Sequence, residues 1–151
     1  MAGQAPHVEI PKAPHAKVAI ISSSWHPEIC ADLVAGALRA LRSAEVTQIE
    51  VIYVPGSFEI PLAAQRAFEK GCDAVVAVGL VLQGQTPHFD YVCQGVTQGV
   101  MDVQLKFSKP IGYGVLMCHT LDQAIARSGR PGSTEDKGFD SAVAALSLLQ
   151  L

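Results

Sequence analysis

At 151 residues and 49% hydrophobic composition, the chain is one domain long and holds enough apolar material for a buried core. Eleven Lys and Arg against fourteen Asp and Glu leave a net charge of −3, and the basic residues are scattered from Lys12 to Lys137, which excludes an electrostatic nucleic-acid footprint. No apolar run approaches the roughly 18 residues of a membrane span, and the opening MAGQAPHVEIPKAPHAK carries no apolar signal core, so a soluble cytoplasmic domain with no membrane partner is predicted.

Residues 1–16 hold Pro6, Pro11 and Pro14 among small and polar types and predict an extended N-terminal arm; residues 17–151 predict one folded domain. A first strand, KVAIISS (17–23), ends in SSSWHP (22–27). The stripe Ile29, Leu33, Ala37 and Leu41 marks a helix, with Glu28 and Asp32 near its start and Arg39 and Arg42 near its end, the order a helix dipole favours. A second strand, IEVIYV (49–54), leads through PGSFE into a helix over 57–70 stopped by Gly71. A third strand, DAVVAVGLVL (73–82), opens through QGQTPH onto a helix carrying Val92, Val96, Val100, Val103 and Phe107. The fourth, PIGYGVLM (110–117), is followed by CHT and a helix that Thr120 and Gln123 start as a capping box and Gly129 ends; Phe139, Val143, Leu146 and Leu149 outline a fifth helix. Strand runs apolar on both faces belong to a covered parallel sheet, so the pattern predicts a three-layer α/β/α sandwich around a four-stranded parallel sheet. Cys30, Cys72, Cys93 and Cys118 form no CxxC or CxxH pair and read as reduced thiols, with no metal site.

In such sheets ligands bind beyond the carboxyl ends of the strands, and the unusual polar and aromatic residues fall there after each of the four strands. In GQTPH, Gly84 relieves the turn, Thr86 suits an N-cap and Pro87 fits the first helical position. The backbone amides of such a helix start attract phosphate or carboxylate, although an ordinary capped helix has the same signature. His88, one residue into the helix, is placed to move protons near neutrality. Trp25, the sole tryptophan, covers the sheet end or stacks on a planar ligand. Glu59 either serves the dipole of its helix start or accepts hydroxyls. Arg127 and Lys137 read by spacing alone as solvated charges, and His7, His15, His26 and His119 as histidines without chemical duty.

Four segments in order, VPGSFEIPLAAQ (54–65), GQTPHFDYV (84–92), LDQAIARSG (121–129) and DKG (136–138), together with ISSSWHPEIC, resemble the 6,7-dimethyl-8-ribityllumazine synthase family from about Lys17 onward. The resemblance implies a flavodoxin-like fold and the condensation of 5-amino-6-ribitylaminouracil with 3,4-dihydroxy-2-butanone 4-phosphate, without metal or organic cofactor. It implies that Trp25 stacks on the pyrimidinedione, that the backbone at Val81 and Leu82 bonds the ring edge, and that Ser57 and Glu59 hold the ribityl chain with Phe58 supporting the pocket. Gly84, Gln85 and Thr86 would receive the phosphate with Arg127, His88 would move protons, and Tyr113 and Lys137 would reach the site from a neighbouring subunit. A homopentamer is expected, with a 60-subunit shell as the alternative. The chain departs from the family pattern at Gln83, where an arginine is usual, at Ala126, where an acidic residue is usual, and at Met117, where threonine is usual. An archaeal-type riboflavin synthase and a non-catalytic lumazine- or flavin-binding shell protein are the rivals, and the intact GQTPHFDYV favours the synthase over the first. A signalling receiver would want acidic residues where Ser22, Ser23 and Ser24 stand.

Overall fold

The alternation of apolar runs and helical stripes is realised in the computed structural model, which describes Gly3 and residues 6–151. Four strands, β1 (Lys17–Ser23), β2 (Gln48–Val54), β3 (Ala74–Leu82) and β4 (Ile111–Cys118), pair in parallel in the order β2-β1-β3-β4. Five helices accompany them: α1 (Pro27–Ser43), α2 (Ile60–Glu69), α3 (His88–Phe107), α4 (Leu121–Ile125) and α5 (Lys137–Leu149). The alternation of side chains along each strand sorts the core into two layers. Val18, Ile20, Val76 and Val78 pack with Leu33, Ala37 and Leu41 of α1 and Leu146 of α5. Ala19, Ile21, Val75 and Ala77 pack with Ile60 and Ala64 of α2 and Val96 and Val100 of α3. This is the expected three-layer sandwich.

Two glycines permit the close approach of α5. A Cβ on Gly138 would stand 2.0 Å from the carbonyl oxygen of Leu33 in α1, and one on Gly112 of β4 would stand 2.0 Å from that of Ser141. Backbone therefore meets backbone on both sides of α5.

Several boundaries differ from the sequence expectation. The helix predicted over 57–70 is divided into a single 3-10 turn, Ser57–Glu59, and α2. Pro61 lacks the N–H that an α-helical bond back to Ser57 would require. Pro87 occupies the capping position predicted for Thr86, and no side chain caps α3; Asp90 N–H instead donates to the Pro87 carbonyl at 3.0 Å. The fourth helix stops at Ile125 rather than near Gly129. The Ala126 carbonyl accepts from the N–H groups of Thr134 and Glu135 at 3.0 and 2.9 Å, so the returning chain takes over the helix end. Edge strand β2 exposes Gln48, Glu50 and Tyr53, so it is not covered on both faces.

Of the predicted arm, residues 1, 2, 4 and 5 lie outside the described residues. Residues 6–13 are neither helix nor strand, and Ile10 and Ala13 pack against the core beside α1. Ala13 N–H donates to the Ala44 carbonyl at 2.8 Å, and Lys12 Nζ donates to that of Ser43 at 2.9 Å. Among the described residues no helix is long and apolar enough to cross a membrane.

Candidate active site

A cavity of about 920 Å³ opens at the carboxyl ends of β1, β2 and β3. The loop after β1 contributes Trp25 and His26, the turn before α2 contributes Gly56 to Glu59, the end of β3 contributes Leu80 to Gln83, and the start of α3 contributes Thr86, His88, Phe89, Tyr91 and Val92. Trp25 is 67% exposed and Phe58 61%, so two aromatic surfaces face an open space rather than the core.

The Trp25 loop is built from below. Ser22 and Ser23 are fully buried, and Cys30, one turn into α1, donates its thiol to the Trp25 carbonyl at 3.1 Å while lying 3.5 Å from Ser23 Oγ. Burial pushes the Cys30 thiol above its ordinary range, with the bonds from Ser23 and Ser22 opposing the shift. Its reactivity is low for that reason. His26 turns the chain with a left-handed φ of 53°.

In the Gly56–Glu59 turn, Glu59 Oε2 accepts from Gly56 N–H at 2.9 Å, which fixes the carboxylate at the cavity wall. Ser57 Oγ is buried and has no hydrogen-bond partner, the single such side-chain atom among the described residues. A buried hydroxyl left unpaired costs on the order of 1–3 kcal/mol, and this one lies toward Gly79 of β3, where an added Cβ would stand 2.9 Å from it. At the other end Gly84 is open, with nothing within 4 Å of an added Cβ, and Thr86 and His88 are exposed at the start of α3.

One chain thus brings Trp25, Ser57, Phe58, Glu59, Val81, Leu82, Gly84, Thr86 and His88 around one cavity. Gln85 stands between two lining residues without lining the cavity itself. Tyr113, Arg127 and Lys137 do not line it. Tyr113 sits on edge strand β4, its hydroxyl 2.9 Å from Thr97 Oγ1; Thr97 itself donates to the Cys93 carbonyl at 2.7 Å, so the phenol is the donor of the pair. Burial raises the Tyr113 phenol above its ordinary range. Arg127 and Lys137 share one carboxylate: Glu135 Oε1 lies 3.7 Å from Arg127 Nε, and Glu135 Oε2 lies 2.5 Å from Lys137 Nζ. Sequence reasoning assigned nothing to His26, Phe89 or Tyr91. The spacing of His88, Tyr91 and Val92 by three and four residues was the available signal, since it puts them on one face of α3. Among the described residues no cluster of three or more His, Cys, Asp or Glu is placed to hold a metal ion.

The sequence model of the family described as 6,7-dimethyl-8-ribityllumazine synthase matches residues 15–151. Similar proteins of that name come from Streptomyces coelicolor, 46% identical over 95% of this chain and 89% of the relative, and from Paenarthrobacter aurescens, 50% identical over 90% and 84%. A third, from a Mycobacterium species, is 51% identical over 87% of this chain and 81% of its own length.

Proposed function

The chain belongs to the 6,7-dimethyl-8-ribityllumazine synthase family and is an enzyme of riboflavin biosynthesis, and from that premise we propose that its cavity is where the two substrates condense. The reaction joins 5-amino-6-ribitylaminouracil to 3,4-dihydroxy-2-butanone 4-phosphate and releases phosphate and water. Neither rival reading is favoured, since the relatives carry the synthase name.

Supporting this use of the cavity is one observation: an exposed indole, a fixed carboxylate and an open helix start with a histidine all line the same space. In this reading Trp25 stacks on the pyrimidinedione, and the backbone at Val81 and Leu82 meets the ring edge. Ser57 Oγ and the Glu59 carboxylate take ribityl hydroxyls, with Phe58 closing the wall. The phosphate rests on Gly84, Gln85 and Thr86, where the unpaired N–H groups of a helix start favour an anion. His88 then carries protons for imine formation and phosphate elimination. Holding both reactants in register supplies most of the rate, since one cavity is lined both by the helix start and by the Ser57–Glu59 turn.

Tyr113 and Lys137 serve the cavity of a neighbouring subunit, and Arg127 travels with Lys137 because Glu135 bridges them. That reading requires a homo-oligomer, which we take to be a pentamer, with a 60-subunit shell as the alternative. We further read residues 1–16 as an arm, residues 17–151 as the synthase domain, and the cytoplasm as its location. Mixing the purified protein with both substrates is the test: lumazine fluorescence should rise with stoichiometric release of phosphate. Substrate binding without product would support the non-catalytic rival, and conversion of lumazine to riboflavin would support the riboflavin synthase one.

A further inference from the structure

The loop that would receive the phosphate has little packing of its own. Gly84 stands open, residues 83–88 are exposed, and α3 begins with no side-chain cap. What holds the loop is found at its two ends, and both ends meet the same ring. At the first, Gln83 N–H donates to the Cys118 carbonyl at 2.9 Å, carrying the β3–β4 ladder one residue beyond Leu82. The Gln83 side chain then meets His119, where its Oε1 is hydrogen-bonded to the imidazole Nδ1. At the other end, Phe89 lies against the same imidazole, the ring centroids 5.8 Å apart and the planes inclined by 43°. His119 is itself fixed by its backbone N–H, which donates to Gln123 Oε1 at 2.8 Å in the first turn of α4.

An amide oxygen can only accept, so Nδ1 must carry a proton in this contact. In a neutral imidazole that leaves Nε2 as the acceptor. The ring thus spans the gap between two strand ends and presses on the first turn of α3 next to His88.

We propose that Gln83 and His119 act as a positioning pair: the Nδ1–H tautomer of His119, held by Gln83, sets the Gly84–Thr86 backbone and the first turn of α3 for the phosphorylated substrate. The proposal rests on the assignment of that loop to phosphate made above. Gln83 stands at the cavity rim and His119 does not line the cavity. Their effect passes through the loop that the ring clamps at Gln83 and at Phe89.

Two measurements on the intact protein test it. Nitrogen-15 spectra of histidine-labelled protein, with the His119 signals identified by their loss in His119→Asn, should show His119 as the Nδ1–H tautomer. Gln83→Met should move it toward the Nε2–H form, and Gln83→Glu should not, because a carboxylate also accepts. In kinetics, Gln83→Met and His119→Phe should each raise KM for the phosphorylated ketone about threefold to tenfold, the range of one lost hydrogen bond. The KM for the ribitylaminouracil should stay within about twofold, since one lost bond at the phosphate end leaves the ribityl end intact. The double variant should be no worse than either single one, and His119→Asn, whose amide can still donate to Gln83, should recover most of the loss seen in His119→Phe. An Nε2–H tautomer in the native protein, multiplicative losses in the double variant, or equal losses for both substrates would each overturn the pair. Thr86→Val examines the underlying assignment separately: if it leaves the KM of the phosphorylated ketone unchanged, the phosphate loop is misassigned, whereas the tautomer still reports whether the pair exists.

Discussion

His88 is the first helical residue of α3, exposed and on the cavity wall, where an imidazole can exchange protons with a bound reactant. His88→Ala is expected to slow turnover within or below the about 10²–10⁴-fold that a positioned acid-base group contributes, because proximity of the two substrates persists. Saturating turnover equal to the native rate would remove His88 from the mechanism. The Glu135–Lys137 pair carries a pH dependence of known sign. The hydrogen bond from Lys137 holds the Glu135 carboxyl below its ordinary range, and the same contact raises the Lys137 ammonium. Glu135 thus adds stability above about pH 4.3, lost as pH falls through its lowered folded value, while Lys137 adds stability below about pH 10.4, lost as pH rises through its raised one. With side chains 38% and 33% exposed, solvent screening keeps the whole effect under about 1 kcal/mol. The difference in urea midpoint between the native protein and Glu135→Gln should be flat from about pH 6 to 9 and close below about pH 4. At this scale, the lone Trp25 and the GQTPH run were legible because their residue types are out of place in an apolar pattern. The Gln83–His119 contact was not, since a pairing 36 residues apart leaves no periodic trace.

Asp136, the residue that caps helix α5, does two things at once. Its Oδ1 accepts from Phe139 N–H at 3.0 Å, capping the helix, and its other oxygen pairs with Arg39 of α1. Asp136→Ala should cost about 1 kcal/mol for the cap. Asp136→Asn keeps the cap and loses most of the ion pair, so it should retain most of the stability in urea denaturation at fixed protein concentration. Equal losses in the two variants would mean that the contact with Arg39, not the cap, holds α5. Strands were legible to within one residue because Val- and Ile-rich runs bounded by polar turns have few alternatives, as with β1 at Lys17–Ser23. Helix ends were less so. α4 looked longer because its stop comes from the chain returning over Ala126, a tertiary contact with no local signature. The start of α3 slipped by one residue because Pro87 stands at the cap, whereas residue preferences put threonine there and proline at the first helical position.

The loop between α4 and α5 bears on the whole assembly. Ser128 and Asp136 form an antiparallel bridge across it, and Arg130 pairs with Asp32 of α1 at 2.6 Å, so the Pro131-containing segment is fastened to its own subunit. A loop fixed in this way fits the proposed pentamer, in which a heterologous interface that closes leaves no copy unsatisfied. Light scattering should therefore report about five times the 16.0 kDa chain mass. A megadalton particle would overturn the ring but keep a shared site, and an active monomer would defeat both. The sheet order was not deducible from the element string alone, whereas its parallel, sandwiched character was. Nine of the expected site residues line the cavity and Tyr113, Arg127 and Lys137 do not; no spacing rule marks that division, and the resemblance set only Tyr113 and Lys137 apart while grouping Arg127 with the phosphate loop.

As the chain emerges from the ribosome, each strand finds its neighbour already made: β2 and β3 add to β1, and β4 adds to β3. The side of α1 that meets α5 has a different timing. Leu33, whose carbonyl Gly138 covers, and the Gly112 segment of β4 both wait for α5, which follows them in the chain. A chain that has not yet reached α5 leaves Ala142, Leu146 and their neighbours missing from this layer of the core, and partly covered apolar surface is what makes nascent chains stick to one another or to chaperones. Ribosome-arrested chains ending before Lys137 should bind an apolar dye that the released protein excludes, and equal binding by both would show that α1 is covered without α5.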